Sequence, residues 1–139
     1  MPQAETLARL RRDSPTRPVV VLAIDDEDRR ATYAYAISAA GFDVMTSDRG
    51  ATVLADRFAP RPDIVVADVS AGSRHGWTFV QGLKRDGRTA KIPVIAIAAD
   101  VGAGTRARAR RERCAAVCPK TCPADIVAAG IRQVLKSLG

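Results

Sequence analysis

The chain has 139 residues, 47% of them apolar but only 4% aromatic, and a formal net charge of +7. That length suits one domain, which would bury roughly two thirds of its unfolded surface in a single core of small side chains. No stretch approaches the about 18 apolar residues that mark a membrane span, and residues 1–12 are charged throughout with no apolar signal-peptide centre. A cytoplasmic protein without a membrane segment is expected.

Residues 1–17 read as an N-terminal arm, disordered or a short helix, that ends among Pro15 and Pro18; the domain follows over 18–139. Val19–Ile24 is a continuous Val-rich run, the pattern of a strand buried on both faces. A helix is predicted over 27–40, with Ala31, Ala34, Tyr35 and Ile37 or Ser38 inward and Gly41 as its stop. Phe42–Thr46 is a second strand. Ser47 or Asp48 caps a helix over 50–58, which Pro60 and Pro62 end. Asp63–Ala67 is a third strand, and Gly76 precedes a third helix, 77–86, with Phe79, Val80 and Leu83 inward. Pro93–Ala98 is a fourth strand. Gly102 and Gly104 loosen the entry to a fourth helix running to about Arg113, with a thin stripe of Ala103, Ala107 and Cys114. Ala115–Cys118 is a short fifth strand. The last helix aligns Val127, Ile131, Val134, Leu135 and Leu138. Five strands alternating with five helices predict an α/β fold, a doubly wound parallel sheet covered on both faces.

Right-handed crossovers put the C-terminal ends of parallel strands on one edge. Asp25 and Asp26 follow the first strand, Asp68 ends the third and Lys120 follows the fifth, so all four should meet there. Singly, each acid has a plainer role: Asp25 and Asp26 as helix caps, Asp68 as the start of a turn. Together they repel unless a cation joins them. Mg²⁺ accepts one or two carboxylates with waters and phosphate oxygens. Asp26 and Asp68 supply carboxylates, Asp25 assists through water, and the backbone carbonyl of Ser70 adds an oxygen. A carboxylate can also act as nucleophile toward phosphorus, with Lys120 pairing a phosphoryl oxygen.

These residues carry a resemblance. From Val19 to Leu138 the chain resembles the receiver domain of two-component response regulators, of the chemotaxis-regulator type. The matching segments are Val21-Leu-Ala-Ile-Asp-Asp-Glu27, Gly41-Phe-Asp-Val44, Pro62-Asp-Ile-Val-Val-Ala-Asp68, Gly76, Ile92-Pro-Val-Ile-Ala-Ile97 and Lys120. The resemblance implies a flavodoxin-like receiver fold over 18–139 with strand order 2-1-3-4-5. It implies Asp68 as phosphoacceptor, Asp25 and Asp26 as the Mg²⁺ pair, and Lys120 as the family's lysine. It also implies a phosphoprotein of a phosphorelay rather than an enzyme, served by a histidine kinase or phosphotransfer protein and read by a downstream protein partner.

Several positions depart from the family pattern. Its usual Ser or Thr at the end of the fourth strand is Ala98, and its usual aromatic in the fifth strand is Val117. The usual Lys-Pro becomes Lys120-Thr121, and a cis bond before a non-proline residue costs about 2.5–4 kcal/mol. The acceptor half of the site is present while the switch half is altered. A hydrogen bond to a charged group is worth about 1.5–3 kcal/mol, against the about 5.5 kcal/mol needed to swing a two-state switch fully.

The leading expectation is therefore a single-domain response regulator. No output domain follows Leu138, so its signal should leave through protein contacts or onward phosphotransfer. The alternative is a phosphorylation-independent pseudo-receiver that binds a partner through its Arg-rich fourth helix, Arg106–Arg113. Nucleic-acid binding by that helix ranks last, because exposed aromatics and a helix-turn-helix pattern are missing. Cys114, Cys118 and Cys122 have helical spacing, but Pro119 and Pro123 break the segment, which leaves partly buried thiols. Trp77 is expected to pack on the sheet and His75 to be an exposed loop residue. Ser70 and Asp100 border the acceptor in the family pattern.

Overall fold

The computed structural model describes residues 17–46, 62–70 and 76–138. The expected helix 50–58, most of the arm, and His75 lie outside the described residues. Five strands, β1 (Val19–Ala23), β2 (Asp43–Thr46), β3 (Ile64–Asp68), β4 (Val94–Ala98) and β5 (Ala116–Pro119), form one parallel sheet in the order β2-β1-β3-β4-β5. The described helices are α1 (Glu27–Ala39), α2 (Gly76–Arg85), α3 (Ala103–Arg111) and α4 (Ala124–Leu138). The order is the one the resemblance implied. It reverses direction between β1 and β3, and open α/β sheets bind ligands at such a switch point.

Side chains alternate across each strand, and the two faces differ in bulk. One face carries Val20, Leu22, Ile24, Ile64, Val66, Ile95 and Ile97, and meets Tyr33 and Ile37 of α1 with Val127, Ala128 and Ile131 of α4. The other carries Val21, Ala23, Val65, Ala67, Val94, Ala96 and Ala98 beneath Val80 and Leu83 of α2. The smaller residues leave room for bulk from above, and Trp77 and Phe79 pack against that cluster. This bears out the expected place of Trp77.

Three inward faces differ from expectation. In α1 the buried residues are Tyr33 and Ile37, whereas Tyr35 is 81% exposed and Ala31 is also exposed. Tyr33 is tolerated inside because its hydroxyl donates to the Cys122 carbonyl at 3.2 Å. Its burial also raises the phenol's pKa, with nearby Arg29 opposing the shift. In α3 the buried residue is Ala109; Ala103 is exposed and Ala107 half-buried. In α4, Leu138 lies exposed in the last turn, past the part of the stripe that reaches the sheet.

The ends of the elements follow local chemistry. Asp26 caps α1, its Oδ1 accepting from Asp28 N at 3.1 Å, and Glu27 and Asp28 suit the positive end of the helix. Gly41, at φ 106°, takes the left-handed turn after α1. Arg17 ties the chain to that turn through the carbonyls of Ser38, Gly41 and Phe42 at 3.0–3.1 Å. Arg113 is left-handed (φ 60°) although it is not glycine, and its guanidinium holds the Lys84 carbonyl at 3.1 Å.

Cys114, Cys118 and Cys122 are free, half-buried thiols on and around β5. Burial pushes the Cys114 thiol up to about 11 and raises Cys118 as well. At pH 8 the thiolate fraction of Cys114 should be about a hundredfold below that of an ordinary thiol. Iodoacetamide should therefore label it slowly in the native protein and rapidly after denaturation, as mass spectrometry would show; rapid native labelling would contradict its burial. The folded state holds this proton more tightly than the unfolded chain. The stability it contributes is thus present below pH 9 and lost as pH rises toward about 11.

Candidate functional site

β1 and β3 are paired neighbours, with Ala23 opposite Ala67, so the residues that follow each strand emerge side by side. Asp68 is the last residue of β3 and only 4% exposed. A buried carboxylate needs partners. Its Oδ1 accepts from the Ser70 backbone N–H at 2.9 Å and from the Ser70 hydroxyl. Its Oδ2 faces two cations: Lys120 Nζ at 3.8 Å and Arg29 Nη1 at 3.6 Å.

The strand register explains Lys120. Its backbone N–H donates to the Ala98 carbonyl at 2.8 Å, which extends the β4–β5 ladder one step past Pro119 and carries the side chain back toward β3. Arg30 fixes the other wall, donating to the Ile24 carbonyl at 2.9 Å and the Asp25 carbonyl at 3.5 Å. Asp26 stands exposed at the start of α1, its Oδ2 3.9 Å from Arg29 Nη2. Asp25 is half-buried beside it.

Of the residues expected from the sequence, Asp68, Lys120 and Ser70 are thus in direct contact, and Asp26 is linked to Asp68 through Arg29. Arg29 was not anticipated. The available signal was a basic residue three positions after a capping aspartate. Asp100, expected beside the acceptor, is used locally: its Oδ1 accepts from Gly102 N at 3.0 Å and Thr105 Oγ1 at 3.3 Å at the start of α3.

The carboxylates of Asp26 and Asp68, linked through Arg29 at one sheet edge, are hard oxygen donors of the kind a divalent ion accepts. Among the described residues no three His, Cys, Asp or Glu side chains converge into a metal cluster. Mg²⁺ does not require three, since it keeps several waters.

Ala98 closes β4, 5% exposed, with a methyl that cannot donate a hydrogen bond; Val117 sits half-buried in β5. The Arg-rich helix is partly consumed by packing. The Arg108 guanidinium lies 5.2 Å from the centre of the Trp77 ring and 3.4 Å from Glu112 Oε1, which also accepts from Gln81 Nε2 at 3.1 Å. Arg110 and Arg111 remain exposed.

The fold is that of the receiver domains of response regulators. The chemotaxis response regulator CheY4 of Vibrio cholerae superposes with a TM-score of 0.75 at 18% identity, covering 86% of this chain and 99% of that one. A response regulator from Thermotoga maritima gives 0.73 at 14% identity over 86% and 98%. The receiver domain of a signal transduction histidine kinase from Syntrophus aciditrophicus gives 0.73 at 16% over 87% and 92%. In sequence, the chain is similar to the response regulator PleD of Caulobacter vibrioides, 34% identical over 87 residues, or 62% of this chain and 19% of PleD. It therefore spans about a fifth of the length of the curated relatives it matches. No family model matches the chain. Among the described residues no helix is long and apolar enough to cross a membrane.

Proposed function

We propose that this chain is a response-regulator receiver in which Asp68 accepts a phosphoryl group from a histidine kinase or phosphotransfer protein. The observation that carries the reading is the buried Asp68 carboxylate at the sheet's switch point, with Lys120 3.8 Å from Oδ2. A carboxylate oxygen attacks phosphorus, the P–N bond of the donor phosphohistidine breaks, and its electron pair returns to the imidazole nitrogen. Ser70 orients the acceptor by holding Oδ1. Lys120 supplies a positive charge to a phosphoryl oxygen. Asp25, Asp26, Asp68 and the Ser70 carbonyl would hold Mg²⁺, which when bound offsets the charge of the incoming group. Signal output would then pass to a protein partner.

The test is a titration with Mg²⁺ and beryllofluoride, a mimic of the bound phosphoryl group, followed by Trp77 fluorescence and by the amide NMR spectrum. Saturable, Mg²⁺-dependent binding is expected. A silent titration in both readouts would leave the second reading, a phosphorylation-independent scaffold using exposed Arg110 and Arg111, as the better account. Ala98 favours that reading, because its side chain offers no donor to a phosphoryl oxygen.

The same titration measures what Ala98 costs. A hydroxyl there would add one hydrogen bond to a charged group, about 1.5–3 kcal/mol, which corresponds to about ten- to a hundredfold in affinity. Ala98→Thr should bind beryllofluoride more tightly by that factor. Unchanged affinity would show that the missing hydroxyl is not what limits the site.

A further inference from the structure

Arg29 sits in the first turn of α1, three residues after the capping Asp26. A cation is poorly placed there, because unsatisfied N–H groups make a helix N-terminus positive. Its side chain is nevertheless drawn in to 25% exposure, with one guanidinium nitrogen 3.6 Å from Asp68 Oδ2 and another 3.9 Å from Asp26 Oδ2. Both separations exceed hydrogen-bond distance, so the guanidinium is held by charge and can swing outward. Arg29 and Lys120 are the two cations that face Asp68 Oδ2, while the Arg30 guanidinium is committed to the Ile24 and Asp25 carbonyls.

We infer that Arg29 is a built-in counter-cation, lying between Asp26 and Asp68, two of the acids that would hold a divalent ion. The inference rests on the metal reading above and adds a competitor to it. In its present position the Arg29 guanidinium would compete with a divalent ion for the two carboxylates. The negative charge of the resting site is thereby reduced without metal, and its Mg²⁺ affinity is set lower than the acids alone would give.

The experiment titrates the 139-residue chain with Mg²⁺ alone, following the Ser70 amide and its neighbours by NMR, and records thermal midpoints with and without Mg²⁺. Arg29→Gln should bind Mg²⁺ roughly tenfold more tightly, the effect of a unit charge on a divalent ion across about 5 Å of solvent-rich protein. Its midpoint should rise more on adding Mg²⁺ than that of the wild type. Arg29→Lys, which keeps the charge, should stay near wild-type affinity. A merely structural arginine would lower both midpoints equally and leave Mg²⁺ affinity unchanged, which would overturn the inference while the metal site stands. If neither wild type nor Arg29→Gln binds Mg²⁺, the metal reading itself fails and the inference fails with it.

Discussion

Asp68→Asn is expected to abolish the Mg²⁺-dependent beryllofluoride response. Asparagine nearly matches aspartate in shape, so the Ser70 contact to Oδ1 can persist and the strand end should fold as before. Chemically the position is transformed. An amide is neither a nucleophile for phosphorus nor an anionic ligand for a hard cation. If the amide nitrogen takes the place of Oδ2, its N–H groups face Lys120 and Arg29, both donors themselves. The loss should exceed a hundredfold in apparent affinity, beyond the reach of the titration, while the circular dichroism spectrum stays that of the wild type. Binding retained in this variant would place the anion elsewhere, with exposed Arg110 and Arg111 the first residues to test.

The largest expected stability effect belongs to Ile95→Ala. Ile95 is 1% exposed in β4, on the bulky face that also carries Ile64, Val66 and Ile97 under α1 and α4. It pairs with Val66 on one side and Ala116 on the other, so strands flank it in both directions. Removing its outer carbons leaves a cavity that these fixed neighbours cannot collapse, at a cost of about 2–5 kcal/mol. A domain of this size is stable by only about 5–15 kcal/mol, so the change should be plain in a urea midpoint. A cost below about 1 kcal/mol would mean that this face is not packed as described. The opposite face should respond differently: Ala96 and Ala67 share a buried cluster with Val80 and Leu83 of α2, and enlarging either would overpack rather than empty the core.

How much of this was legible in the sequence depended on the type of signal. Strands buried on both faces are continuous Val- and Ile-rich runs, and β1, β3 and β4 were placed to within a residue or two because nothing else in the chain has that pattern. Strand order is not written in periodicity and came from the resemblance to receivers. The inward face of α1 is not legible in the sequence, because Ala31, Ala34, Ala36 and Ala39 surround the helix and mark no stripe. Tyr33 and Tyr35 then compete on equal terms, and the Cys122 carbonyl that favours Tyr33 lies far along the chain. α3 offered still less, with arginines on most sides and one buried alanine.

The site divides in the same way. Asp25, Asp26, Asp68 and Lys120 were visible because each follows an apolar run, and parallel topology carries strand ends to one edge. Arg29 was not, since a basic residue on a helix reads as solvated. Only the fold shows Asp68 Oδ2 within reach of it. Likewise, Arg106–Arg113 looked like a single binding patch, yet Arg108 and Arg113 are engaged with α2 and its end.

The most direct test of the central claim is phosphoryl transfer itself. The purified chain would be incubated with Mg²⁺ and acetyl phosphate, the acyl phosphate trapped by hydride reduction, and the modified residue located by mass spectrometry. The account predicts one phosphoryl group per chain, on Asp68, formed only when Mg²⁺ is present. Modification at another residue, or none from either acetyl phosphate or phosphoramidate, would contradict it.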